Sequence, residues 1–290
     1  MEAAIATDIK GVKASVSDGV AKLRICCPSK RNALGALLRD ELQRCLCGLA
    51  GEAEVKCIVL CAEGNTFCAG IDLMELTQLG NGGGQSASSH IDAGRAAMVL
   101  NKSIREFQEF ITCFETCTKP IIAAVHGACI GAGVDLITAC DIRLCSKAAV
   151  FSVREAKVGL AADVGTLQRL PKVVGCTSWV RDLAFTGRDV KADEALRFGL
   201  VQDVAETQQA VEAQALELAR LIANNSPLAV AATKASLNFS RDHGVAEGLE
   251  HVRLLNQSYL QAPDVAISAK AFMQKTRPVY PSLPKLRSAL

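Results

Sequence analysis

The sequence predicts an α/β fold, on three observations. An alternating hairpin and an amphipathic helix lead into CIVLCAEG at 57–64, a continuous apolar run closed by glycine, as strands buried on both faces are. A second such run, KPIIAAVHG at 119–127, passes directly into a glycine-rich turn and a short helical stretch. Most of the final third has helical apolar spacing.

In chain order, residues 12–17 and 20–27 alternate around Asp18-Gly19, the pattern of two strands joined by a tight turn. Residues 32–49 place Leu34, Leu37, Leu38, Leu42, Leu46 and Leu49 at helical spacing. After the strand from Cys57, LGNGGGQSASS at 79–89 has no periodicity and reads as a loop or small insertion. A helix of roughly 25 residues follows to Cys117. Beyond the strand at 119–127 come a short helix in GAGVDLITAC and two strands, DIRLCSK and AVFSV. Helices recur from Leu167, at 192–198, 207–224, 228–238 and 245–259, with Pro227 and Pro263 as breaks. The expected organisation is a core over 1–200 holding the pocket, and a helical region over 201–290 for cover and assembly.

Composition excludes several functions. Half of the 290 residues are hydrophobic, yet no apolar run approaches the ~20 residues of a membrane span. The net charge is only +2, aromatics are 4%, and there is no basic block, which argues against nucleic acid as a ligand. Thirteen cysteines, an odd number with no CxxC pair, read as reduced thiols packed in apolar segments. Cys45/Cys47 and Cys113/Cys117 have no matching second pair, and the four histidines lack zinc-site spacing, so no metal is expected. The stretch MEAAIATDIK reads as neither a secretory signal nor a transit peptide. Ser288-Ala289-Leu290 resembles a degenerate peroxisomal Ser-Lys-Leu address; the cytoplasm and the mitochondrion stay open.

Three acids stand among apolar or small neighbours: Asp135, Glu155 and Asp163. Each is expected to be at least partly buried, with a shifted pKa, and converging on one cleft they would form an acid/base set. Two strand-to-helix junctions, FCAGIDL and HGACIGAGVDL, can each aim a backbone N–H at one oxygen, as an oxyanion hole requires. A dinucleotide fingerprint fails because Leu136 stands where its third glycine belongs, and a P-loop fails for want of Gly-Lys-Ser/Thr. Structural readings stand beside these. Asp135 fits a satisfied helix residue, Glu155 a surface charge, and Asp163 and Asp72 helix caps. His126, Cys68 and Cys129 fit packing roles, and Lys30 and Arg31 fit either a phosphate contact or solvation.

FCAGIDL, KPIIAAVHGACIGAGVDLITACDIRLCS, FSVREAKVGLAADVGTLQRLPKVVG and ADEALRFGLV, in that order, resemble the successive motifs of the crotonase (enoyl-CoA hydratase/isomerase) superfamily. The resemblance implies a spiral of stacked ββα units with a C-terminal helical trimerisation region, commonly paired into hexamers. It implies an acyl-CoA thioester substrate and no metal or redox cofactor, coenzyme A being part of the substrate. It places the oxyanion donors at the N–H groups of Ile71 and Ala132, and substrate contacts at Ala69, Gly70, Ile71, Asp72, Leu73 and Ala132. Hydratases of the superfamily generally carry glutamates at the positions of Asp135 and Glu155, and glycine at that of Asp163; the set of three is similar to that of the Δ3,5-Δ2,4-dienoyl-CoA isomerases. The implied reaction moves a proton from C2 to C6 of a 3,5-dienoyl thioester in β-oxidation of unsaturated fatty acids, Glu155 acting as base and Asp163 as acid or the reverse, with Asp135 ordering the pocket. The alternatives are a 2-enoyl-CoA hydratase and a non-enzymatic crotonase-like scaffold or RNA-binding protein.

Overall fold

The computed structural model describes residues 11–80 and 92–285. Strands β1 (Val12–Ser17) and β2 (Val20–Ile25) form the expected hairpin, with Asp18 and Gly19 at φ of 51° and 78°, the positive values that a type I′ turn needs. Helix α1 (Ala36–Gly51) begins four residues later than its apolar spacing suggests. The cause is Asn32, fully buried at a φ of 55°. Its side chain accepts from Cys27 N (2.8 Å) and donates to Glu63 O (2.9 Å) and Thr66 O (2.7 Å), so the chain turns before it coils.

The remaining core repeats one pattern: a strand in a large sheet, a short strand in a small sheet, then a helix. Strand β3 (Cys57–Ala62) is followed by β4 (Thr66–Cys68), α2 (Leu73–Gly80) and α3 (Ala93–Thr116). Strand β5 (Ile121–Val125) is followed by β6 (Ala128–Ile130) and α4 (Ala132–Thr138). Strand β7 (Ile142–Ser146) is followed by β8 (Val150–Ser152), α5 (Thr166–Val174) and α6 (Thr177–Thr186). Strand β9 (Val190–Lys191), α7 (Ala192–Arg197) and β10 (Asp203–Ala205) complete the sheets. The large sheet runs β1-β2-β3-β5-β7-β10 and the small one β4-β6-β8-β9; all pairings are parallel except β1 with β2 and β8 with β9. This is a spiral of ββα units, as the motifs imply.

Every residue of β3 and β5 is buried because both faces of the large sheet are covered. Ile58, Leu60 and Ala62 point into the main core with α1 and α3, while Cys57, Val59 and Cys61 pack under α8 (Gln208–Ala223) through Val211, Ala215 and Ala219. The chain beyond residue 200 therefore starts inside the sheet layers. It then leaves them as α9 (Pro227–Asp242), α10 (Val245–Tyr259) and α11 (Asp264–Gln274). Pro227 starts α9 at a position that needs no N–H, and the Ser226 hydroxyl caps that helix by accepting from Ala229 N at 3.1 Å. Buried Lys234 ties α9 to the core through Asp141 Oδ2 (2.7 Å), and the same oxygen accepts from Ile121 N (2.7 Å).

Part of the loop expected at 79–89 lies outside the described residues, and its first two residues close α2. None of the thirteen cysteines forms a disulfide among the described residues. Burial pushes Cys57, Cys61, Cys68, Cys140 and Cys145 up to about 12. Among the described residues, no helix is long and apolar enough to cross a membrane, and no group of three His, Cys, Asp or Glu side chains could hold a metal ion.

Candidate active site

The two glycine junctions meet where β4 and β6 pair. The direction in which a side chain would leave Gly70 points within 3.6 Å of Ala132 N, so the backbones carrying Ile71 and Ala132 lie against each other. Residues 31–34 brace this loop: Leu34 N donates to Gly70 O (2.7 Å) and Ala69 N to Arg31 O (3.0 Å). Ala132 is the first residue of α4, where an N–H has no partner within the helix. At the other end of α4, half-buried Arg143 donates to Ile137 O (3.1 Å) and Cys140 O (2.7 Å), a cation on the negative end of the helix dipole.

Asp72 Oδ1 accepts from Met74 N (3.0 Å), the capping role its position suggests, and Oδ2 pairs with Lys30 Nζ (3.1 Å). These bonds, Lys30 first, hold its carboxyl below the usual carboxylate range. Lys30 is exposed, and Leu73 projects outward, 60% exposed. His126 is buried with Nε2 on Gly64 O at 3.0 Å, in keeping with a structural role.

The three acids converge on this floor, each in a different setting. Asp135, on α4, is fully buried. Its Oδ1 accepts from Thr166 N at the start of α5, and Oδ2 is buried without a partner. Burial drives its pKa up to about 6, against the opposing pull of the Thr166 bonds and of Arg169, with the Asp163 charge adding to the rise. Glu155 opens a short 3-10 turn after β8 and is half-buried. Its carboxyl lies directly over Gly131: a Cβ there would stand 3.2 Å from Oε1, and Gly131 itself sits at a φ of 52°. Oε2 is buried without a partner. Burial first, then the charges of Asp135 and Asp163, push Glu155 up to about 7. Glu155 thus senses both of the other acids, and Asp135 senses Asp163.

Asp163 departs from expectation. It is exposed, and the apolar neighbours that should have enclosed it lie beneath the turn instead. The protein on its inner side raises its pKa by partial burial, and the open side limits that rise. Nor does it cap α5: Gly165 holds the cap position, and the bond to Thr166 N comes from Asp135. The capping role weighed for one acid belongs to another, across 31 residues of sequence.

Sequence reasoning passed over two residues here. Asn32 is visible only as one polar residue before a helix, and Arg169 as one more charge in an amphipathic stretch; neither signals its distant partners. A cleft of about 640 Å³ lies elsewhere, among α9, α10 and α11, lined by residues such as Leu237, Val245, Leu249 and Tyr259 and by none of the three acids. Two backbone donors, a carboxyl near neutrality and a second carboxyl on an adjacent turn are suited to stabilising an enolate while a proton is removed and returned elsewhere.

A family model described as enoyl-CoA hydratase/isomerase matches residues 15–282. The mitochondrial Delta(3,5)-Delta(2,4)-dienoyl-CoA isomerase of Homo sapiens is 46% identical over 249 residues, which span 84% of this chain and 73% of that one. The peroxisomal Delta(3,5)-Delta(2,4)-dienoyl-CoA isomerase of Arabidopsis thaliana is 40% identical over 272 residues, 94% of this chain and 96% of that one. Among solved structures, an enoyl-CoA hydratase from Bacillus anthracis is similar with a TM-score of 0.83 and 26% identity, covering 93% of this chain and 99% of its own. An enoyl-CoA hydratase/isomerase from Cupriavidus metallidurans CH34 is similar with a TM-score of 0.83 and 28% identity, covering 98% and 100%.

Proposed function

Because the chain belongs to the enoyl-CoA hydratase/isomerase family, we propose that it isomerises 3,5-dienoyl-CoA to 2,4-dienoyl-CoA in the oxidation of unsaturated fatty acids. The observation that carries this reading is the third carboxyl: Asp163 lies close enough to the Glu155/Asp135 pair for its charge to raise both. The names of the relatives at 46% and 40% identity support it.

The thioester oxygen lies on the N–H groups of Ile71 and Ala132. Glu155, near 7, takes the C2 proton as a carboxylate matched to neutral pH. The electron pair left behind spreads from the oxygen through C4 to C6. Asp163, as the carboxylic acid, delivers a proton to C6, and double bonds form at C2–C3 and C4–C5. Glu155 ends protonated and Asp163 ionised, and exchange with solvent resets both. The free carboxyl of Asp163 is open to water, so the bound acyl chain completes the desolvation that keeps it protonated. Asp135 holds the turn that carries Asp163, through Thr166 N. Coenzyme A enters as part of the substrate, and this route uses no other cofactor.

The exposed Leu237, Val245, Leu249 and Phe272 on α9–α11 support assembly into a homotrimer or a dimer of trimers. The peroxisomal relative of Arabidopsis thaliana and the mitochondrial relative of Homo sapiens support a location in an organelle. The decisive experiment measures diene isomerisation spectroscopically in Asp163→Asn and Glu155→Gln. Each loses ~10²–10⁴-fold in rate if both move protons. Wild-type rates in both would sink the reading, and incorporation of solvent oxygen by the native protein would point to hydration instead.

A further inference from the structure

The turn that carries Asp163 is held from outside by a polar stripe on α3. Gln108, Thr112 and Glu115 are spaced i, i+4, i+7 and therefore share one helix face. Gln108 Nε2 donates to Asp163 O. Arg169, on α5, folds back over the same turn: Nη1 approaches Val164 O (3.5 Å), Nη2 donates to Thr112 Oγ1 (3.0 Å), and Nε and Nη2 grip Glu115 (3.2 and 3.0 Å). The approach is so close that a Cβ on Gly165 would lie 1.9 Å from Nη1.

Arg169 and Glu115 are both largely buried. Burial alone would raise Glu115, but Arg169 and Arg241 outweigh it and hold the carboxyl below its ordinary range. Arg241 also pairs with Asp242 (2.7 Å), which Lys172 reaches from α5. The guanidinium of Arg169 is thus fixed at one end by charge and rests at the other on the backbone of the acid turn. Asp135 is not part of this clamp; its hold on the turn is the separate bond to Thr166 N.

We infer that Arg169, clamped by Glu115, is a positioning residue that sets where the Asp163 carboxyl stands, and so governs proton delivery at C6 without governing proton removal at C2. The inference rests on the isomerase reading above. It predicts that the two half-reactions come apart when the clamp is loosened, because Glu155 is carried on a different turn. A misplacement of about 1 Å costs up to ~10²-fold in a positioned step.

The test compares Arg169→Met, Arg169→Lys and Glu115→Gln with the native full-length protein, each incubated with 3,5-dienoyl-CoA in D₂O. Deuterium entering at C2 and formation of the 2,4-diene are followed together. The expected result is a fall of ~10- to 10²-fold in isomerisation for Arg169→Met, with C2 exchange within about twofold of native. Arg169→Lys, which keeps the charge but loses the fork, should fall between the two. Equal loss of exchange and isomerisation, or loss of neither, would overturn the inference. If Arg169→Met does not fold, the Lys and Gln variants decide by the same ratio. A native protein that exchanges at C2 but never isomerises would overturn the isomerase reading itself, an outcome distinct from an unchanged ratio in the variants.

Discussion

Replacing Glu155 by glutamine is expected to make the protein more stable while disabling it. The carboxyl moves from an ordinary value of 4.5 to about 7 on folding, through burial and the neighbouring Asp135 and Asp163 charges. Such a displacement corresponds to about 3 kcal/mol of stability that the ionised side chain costs the folded state. The sign follows from proton binding. Below about 4.5 the carboxyl is protonated in both states and contributes nothing. Between about 4.5 and 7 the folded state keeps a proton that the unfolded state has lost, so stability falls as pH rises, and above about 7 the full cost is present. Glutamine has the shape of the protonated acid and cannot ionise. Partial solvent contact reduces the gain, so Glu155→Gln should be more stable than the native protein by ~1–3 kcal/mol near pH 8, or roughly 2–4 °C in Tm per kcal/mol, and equal to it near pH 4.5. Urea unfolding at matched protein concentration, with m-values compared, gives the numbers. A variant of equal or lower stability near pH 8, or a difference that does not vary with pH, would refute the claim that burial and like charge set this carboxyl.

Other consequences are equally open to measurement. The pH dependence of kcat/KM should be bell-shaped, because Glu155 must be ionised while Asp163 is protonated, with the rate falling well above about 7, where both carboxyls are ionised. Ala132→Pro removes one oxyanion donor at a first helical position that tolerates proline, so kcat should drop ~10²–10³-fold with the circular dichroism spectrum unchanged. Lys234→Met leaves Asp141 without its cation, and thermal unfolding should show a loss of about 3–5 kcal/mol.

Patterns with a strong period were legible in the sequence. The hairpin around Asp18-Gly19, the doubly buried β3 and β5, and helix α10 at Val245–Tyr259 emerge where alternation, apolar runs and 3.6-residue spacing indicate them. The small sheet was harder to read, because β4, β6 and β8 have three residues each, too few to express a period. They are held by pairing with one another across the chain. Helix α11 escaped for a different reason: its apolar residues Val265, Ile267, Phe272 and Met273 spread over more than one face, so no single stripe marks it. At the site, apolar flanks pointed to burial for Asp135 and Glu155 but misplaced Asp163. Neighbours in sequence say nothing about which side of a turn faces water. The Asp135–Thr166 bond and the Arg169–Glu115 pair span 31 and 54 residues, and contacts at that range leave no local trace.

Thirteen thiols, none of them in a disulfide, give the molecule a built-in indicator of its own opening. An alkylating reagent attacks the thiolate, and a group held near 12 is ionised about once in 10⁵ molecules at neutral pH. Cys57 and Cys61, sealed between the large sheet and α8, therefore stay silent until that layer separates, whereas the partly exposed Cys26, Cys27, Cys47, Cys113 and Cys176 report on the periphery. Mass-resolved alkylation over time would rank the layers of the spiral by the order in which they let go.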